Sequence, residues 1–296
     1  MIRRTFLALP AALAASAAPD PLRYSICSGA FAGQSLGEMC QSAIRCGYVG
    51  LELEPGNISD DPASLSKSER ETLRKTIVES GLGFVGLHGF LRVPKGMHLT
   101  GPDAEIRSKT WSYFDRLIDL AADLGPNPVM VLGQARQREA LGVVTRNEAV
   151  SRITEGLGRL APHAERRDVK ILLEPLAPHL CNVINTLSEA VAIIERIGSP
   201  AIQSIFDSHN TAGEAESPDQ LLRLHHRHIR HVHLNEMDGR YPGSGQFPFD
   251  KVLGALRDLK YKGWVSVELF DFKPDGETVA RRSIEYLRSL AQPRRA

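Results

Sequence analysis

The chain is short of cysteine, of any excess of charge and of linker-like sequence, and each shortage narrows what it can be. Its four cysteines, Cys27, Cys40, Cys46 and Cys181, form no C-x-x-C pair. Cys40 and Cys46 fall on different faces of the helix expected around them, so the four read mostly as small buried apolar residues rather than as a disulfide framework. Lysine and arginine number 36 against 35 acidic residues, a net charge of +1, and the basic residues gather in no stripe. A nucleic-acid partner is therefore not expected. No Pro/Gly/Ser-rich or low-complexity tract divides the chain, which argues against two domains. No G-x-G-x-x-G follows the first strand-like run, which removes the usual reason to expect a dinucleotide-binding open sheet. The apolar run from Phe6 to Ala15 is too short to cross a bilayer, so no stable membrane anchor is expected.

What is present is an ordinary globular composition, 296 residues and 42% hydrophobic, enough to bury a large core. The opening MIRRTFLALPAALAASAAP joins the pair Arg3-Arg4 to the apolar run and to small residues before Pro19. Residues 1–18 read as a twin-arginine-type signal peptide, and residues 19–296 as the mature chain. The expected location is periplasmic or otherwise exported. A pathway that carries folded cargo would allow a metal to be loaded before export.

After Pro21, short apolar runs alternate with amphipathic stretches. The expected strands are Tyr24 to Cys27, Tyr48 to Leu53, Gly83 to His88, Pro128 to Leu132, Val169 to Leu173, Ile202 to Phe206, Ile229 to Leu234 and Trp264 to Leu269. Ser68-Glu69-Arg70-Glu71 and Thr186-Leu187-Ser188-Glu189 have capping-box form, and Gly81, Gly125 and Gly198 stand where helix C-caps belong. The stretch from Ala104 to Leu124 is expected to be the longest helix. Repeated βα units without a linker predict an α/β chain folded as a single (β/α)8 TIM barrel, with a doubly wound open sheet as the runner-up.

In such a barrel the chemistry sits at the C-terminal ends of the strands. Four consecutive strands end alike: ILLEP at Glu174, SIFDSH at Asp207, HVHLNE at His233 and SVELF at Glu268. Adjacent parallel strands lie about 4.8 Å apart, so these side chains can converge. Crowded carboxylates repel, and a divalent cation is the simplest compensation. One divalent metal is therefore expected; three oxygen ligands and one nitrogen suit Mn²⁺ first, with Mg²⁺, Co²⁺ or Zn²⁺ as alternatives, and the lack of thiolate argues against structural zinc.

The order Glu, Asp, His, Glu on the last four strands resembles the xylose isomerase-like superfamily, in the branch of tagatose and psicose 3-epimerases and hydroxypyruvate isomerase. The strings YVGLEL at 48–53, NTLSEA at 185–190, and His233 followed by Arg240-Tyr241-Pro242-Gly243-Ser244-Gly245 are similar to its second strand, fifth-helix entry and metal-histidine strand with loop. The resemblance implies that Glu174, Asp207, His233 and Glu268 bind the metal, and that Glu174 and Glu268 move protons. A metal chelating a carbonyl and its neighbouring hydroxyl acidifies the C–H between them, and glutamates on opposite faces can remove and return that proton through an enediolate. The implied function is a divalent-metal-dependent isomerase or epimerase of a small-molecule sugar or keto-sugar, monomeric or homo-oligomeric.

Five further residues are candidate substrate contacts. His209 is similar to the family histidine just after the metal aspartate, and Arg240 offers a planar fork for sugar oxygens. Glu52 and His88 end the second and third strands and are expected at the same rim. After Glu174 the family's polar asparagine–arginine–aromatic–glutamate segment is replaced by Pro175-Leu176-Ala177-Pro178-His179, so His179 is expected to take over as a contact. That departure keeps a second outcome open, a lyase or dehydratase that eliminates a β leaving group from a 3-keto sugar or glycoside. An endonuclease-IV-like nuclease and a non-catalytic sugar-binding barrel are the remaining alternatives. His225, His226, His228 and His231 read as a solvated basic turn rather than a metal cluster.

Overall fold

The computed structural model describes residues 20–291; the expected signal at 1–18 lies outside them. Eight parallel strands close into a barrel in sequence order. They are β1 (Arg23–Cys27), β2 (Gly50–Leu53), β3 (Gly83–Leu87), β4 (Val129–Leu132), β5 (Lys170–Leu173), β6 (Ile202–Asp207), β7 (Ile229–Leu234) and β8 (Trp264–Val267). Between and after them run α1 (Leu36–Cys46), α2 (Lys67–Ser80), α3 (Ala104–Leu124), α4 (Arg146–Arg166), α5 (Leu187–Ile197), α6 (Pro218–His225), α7 (Phe249–Asp258) and α8 (Gly276–Ser289). The single (β/α)8 barrel expected from the alternation is the fold observed, and all four cysteines are buried and unpaired.

Local details differ from expectation in three places. α2 is capped by Ser66, whose hydroxyl accepts from Glu69 N while the Glu69 carboxylate accepts from Ser66 N; the box starts two residues earlier than Ser68. Gly81 and Gly198 are left-handed C-caps, but Gly125 is extended. A side chain at Gly125 would strike the Phe84 ring, so close packing rather than capping calls for glycine there. α4 equals α3 at 21 residues.

Burial follows from two-faced strands. Their outward residues pack on the helices in one large core, while Val85, Val129, Val131, Leu172 and Ile205 form a separate apolar cluster inside the barrel. The inner cluster belongs to β3, β4, β5 and β6. On the other half of the wall, inward positions are polar: Ser25 and Ser266 share a 2.6 Å hydrogen bond, and Glu52 meets His231 at 2.7 Å.

Trp264 closes the N-terminal end. Its ring lies over Gly50 and Gly83, where a Cβ would fall 2.6 and 2.7 Å from ring atoms, and the Arg23 guanidinium stacks on it at 4.3 Å. Gly50→Ala should therefore destabilise the barrel by about 1–3 kcal/mol through overpacking. Trp264→Leu in the same chain should cancel most of that increment. Thermal or urea melts of the two single variants and the double variant check this; strictly additive losses would show that the ring is not what Gly50 accommodates.

Candidate metal centre

Glu174 directly follows β5, Asp207 ends β6, His233 lies in β7 and Glu268 directly follows β8. Each offers a ligand atom, and these atoms all lie within 4.8 Å of one another. All four residues are buried. The arrangement is held by neighbours: Asn210 Nδ2 donates to Glu174 Oε1 at 3.1 Å and to Asp207 Oδ2 at 2.9 Å. Asp207 Oδ1 caps the short turn that follows β6 by accepting from His209 N at 2.8 Å. Gly133, just past β4, leaves the space that Glu174 Oε2 fills, since a Cβ there would overlap it.

The donor set fits a divalent cation. His233 Nδ1 lies 3.0 Å from Glu268 Oε2, yet Nδ1 has no hydrogen-bond partner, so the two atoms are close without pointing at each other. Two ligands about 2.1 Å from one ion at right angles are separated by about 3.0 Å. Burial and the charge of Glu268 raise the Glu174 carboxyl, and burial with Glu174 and Glu268 raises Asp207 well above the ordinary range. Burial would raise Glu268 too, but the His233 imidazole overcomes it and holds Glu268 low. Arg138 is fully buried and donates to the carbonyls of Leu132 and Glu174, so it puts positive charge behind the cluster.

Two expectations are corrected. Glu52 is not at the rim: it has no exposed surface and lies behind His233, with Oε1 and Oε2 at 3.1 and 3.0 Å from His233 Nε2. His231 is not in a solvated turn. It is wholly buried inside the barrel against Glu52, because period-two alternation on β7 sends residues 231 and 233 to the same inner face. His225 is also buried, on α6, while His226 is exposed.

His88 is brought to the cluster. It is buried, with Nε2 at 3.1 Å from Glu54 Oε1 and 3.9 Å from Glu268 Oε1, and Arg92 Nη1 holds the other Glu54 oxygen at 3.0 Å. His209 and His179 meet at the mouth, their rings 6.4 Å apart, and Phe270 lies 5.1 Å beyond His209. Arg240 is exposed and paired with Asp238 at 2.7 Å; the loop after it is pinned instead by Glu236, which accepts from the N–H groups of Gly243, Gly245 and Phe247. Sequence reading missed Asn210, Glu54, Cys27 and Arg138. Asn210 and Glu54 stand within three residues of a strand-end candidate, a usable signal. Arg138 has none, since nothing local distinguishes it from a surface arginine.

Residues 40–290 match the family described as xylose isomerase-like TIM barrel. The chain is 24% identical over 238 residues to D-psicose 3-epimerase of Agrobacterium fabrum (strain C58 / ATCC 33970), covering 79% of each chain. It is 27% identical over 261 residues to fructoselysine 3-epimerase of Escherichia coli O157:H7, covering 84% of this chain and 91% of that one. Among solved structures, the apo form of 3-keto-D-glucoside 4-epimerase from E. coli superposes with a TM-score of 0.78 at 20% identity, covering 90% of this chain and 99% of that one.

The raised carboxyl of Asp207 has a thermodynamic consequence. An acid whose pKa is higher folded than unfolded costs stability once pH exceeds its unfolded value, about 3.9. Chelator-treated protein should therefore lose stability as pH rises from about 4 toward neutrality. Asp207→Asn should flatten that slope and raise the chelated protein's melting temperature at pH 7 by about 2–4 °C per kcal/mol relieved. Calorimetry across pH in the presence of chelator tests it, and a lower melting temperature for the variant at pH 7 would contradict it.

Proposed function

The chain belongs to the xylose isomerase-like TIM barrel family, and from that premise we propose that it is a divalent-metal-dependent epimerase or isomerase of a keto-sugar. The observation that carries the reading is the placing of two glutamates, Glu174 after β5 and Glu268 after β8, on either side of Asp207 and His233 in one buried cluster. The names of the relatives, epimerases of D-psicose and fructoselysine, support a ketose or a substituted ketose as substrate.

Glu174, Asp207, His233 and Glu268 would hold the metal, Mn²⁺ by the donor set. When bound, the ion supplies electrophilic polarisation of a carbonyl and adjacent hydroxyl. The chain's own residues do the rest. Glu268 faces His233 with Oε2 and keeps Oε1 on the His88 side, which leaves one oxygen to take a proton from the carbon beside the carbonyl. Glu174, reaching in from β5, returns a proton to the opposite face, and Asn210 holds its carboxylate in place. His209, His179 and Arg240 are the proposed substrate contacts. Glu52 lies behind His233, among His231, Cys27 and His88, and is left out of that set. The Arg3-Arg4 pattern with its apolar run supports export to the periplasm by the twin-arginine route.

Glu268→Gln should lower kcat on the order of 10³-fold while leaving the circular dichroism spectrum unchanged. Wild-type enzyme with Mn²⁺ and a ketose in deuterated water should wash deuterium into the carbon whose configuration changes. Full turnover by E268Q or by chelated protein would remove the proposal, and loss of a substituent from a 3-keto-glycoside in place of exchange would assign a lyase instead.

A further inference from the structure

The polar half of the barrel interior has a feature that the cluster above does not use. Glu52, on β2, is a fully buried carboxylate with no arginine or lysine partner among the described residues. Its neighbours are His231 Nε2 at 2.7 Å, His233 Nε2 at 3.0 Å, the Cys27 thiol at 3.6 Å and His88 Nδ1 at 3.6 Å. Burying a carboxylate together with its imidazole partners is costly, and replacing the whole group by well-packed apolar residues is often neutral or stabilising. The same barrel fills its opposite half with Val85, Val131, Leu172 and Ile205, so the fold itself does not require charge at this level.

We propose that Glu52, backed by His231, is a positioning residue that fixes the ring of His233 in the tautomer with hydrogen on Nε2, leaving Nδ1 with its lone pair toward Glu174, Asp207 and Glu268. The geometry gives the direction. Both Glu52 oxygens lie within hydrogen-bond distance of His233 Nε2, and a carboxylate accepts but does not donate. The nitrogen facing Glu52 must therefore carry a hydrogen, so when the ring holds only one proton it is Nδ1, 3.0 Å from Glu268 Oε2, that is left bare. His231 repeats the pattern: Nε2 faces the same carboxylate and Nδ1 is buried without a partner. Two N–H groups from neighbouring rungs of β7 thus converge on Oε2 and stop the carboxylate from turning away. Metal-binding histidines commonly give their second N–H to such a group, and its loss typically weakens metal affinity 10- to 100-fold. This inference rests on the metal reading above, but its first measurement does not.

The test has two arms. In metal-free full-length protein at alkaline pH, where the ring holds one proton, ¹⁵N NMR of the imidazoles should show His233 protonated at Nε2 in the wild type and a mixture of tautomers in Glu52→Gln. Titration calorimetry with Mn²⁺ should then show about 10- to 100-fold weaker binding by E52Q, and the change of tautomer is a readout that a merely structural residue would not move. A singly protonated His233 with its proton on Nδ1 in the wild type overturns the proposal whether or not E52Q folds, as does unchanged Mn²⁺ affinity in the variant. Two ions per wild-type chain, the second on Cys27, Glu52 and His233, would overturn it by making Glu52 a ligand. The tautomer measurement involves no substrate, so failure of the epimerase reading and failure of this one are separable.

Discussion

Closing eight parallel strands on themselves forces every second side chain of each strand into one narrow interior, and the rest of this protein is arranged around that crowding. Layers of inward side chains must fill the space without voids. At the bottom one large ring, Trp264, does so, and it is tolerated because Gly50 and Gly83 have no side chains to oppose it. In the middle, β3 to β6 contribute aliphatic residues and the remaining strands contribute serine, glutamate and histidine. At the top, where packing ends, four ligand-bearing side chains meet.

Placing three carboxylates at one point works against stability, and the surroundings offset it in several modest ways. Asn210 bridges two of them, Arg138 brings a buried cation up behind Glu174, and His233 stands against Glu268. None neutralises the cluster. Local compensation is incomplete, and the surrounding apolar shell of strands and helices supplies the stability that the centre lacks.

The fold and the four strand-end ligands were legible in the sequence for the same reason: a βα repeat is periodic, and a polar residue terminating an apolar run breaks the period at a definite place. The run IQSIF followed by Asp207 is the clearest instance. What lies beneath that layer was not legible. Glu52 and His231 sit inside strands, and one-dimensional spacing does not say that residues 52 and 231 share one small volume on opposite sides of β1 and β8. His88 reaches the site as expected, but the residues that hold it beside Glu268, Glu54 and Arg92, are partners that spacing does not reveal. Arg138 is the extreme case. Its burial follows from the path of the loop after β4 and from carbonyls at the ends of β4 and β5, none of which local sequence encodes.

The filled interior, from Trp264 through the aliphatic and polar layers, leaves the cluster open only at the C-terminal end of the barrel. Whatever reaches the cluster must come and leave by that one end. Reactant and product of a single inversion differ at one carbon, so both fit the same mouth and compete for it. For the proposed epimerisation, net direction would be set by concentrations outside the barrel, and a compartment that drains one epimer would determine which way the chemistry runs.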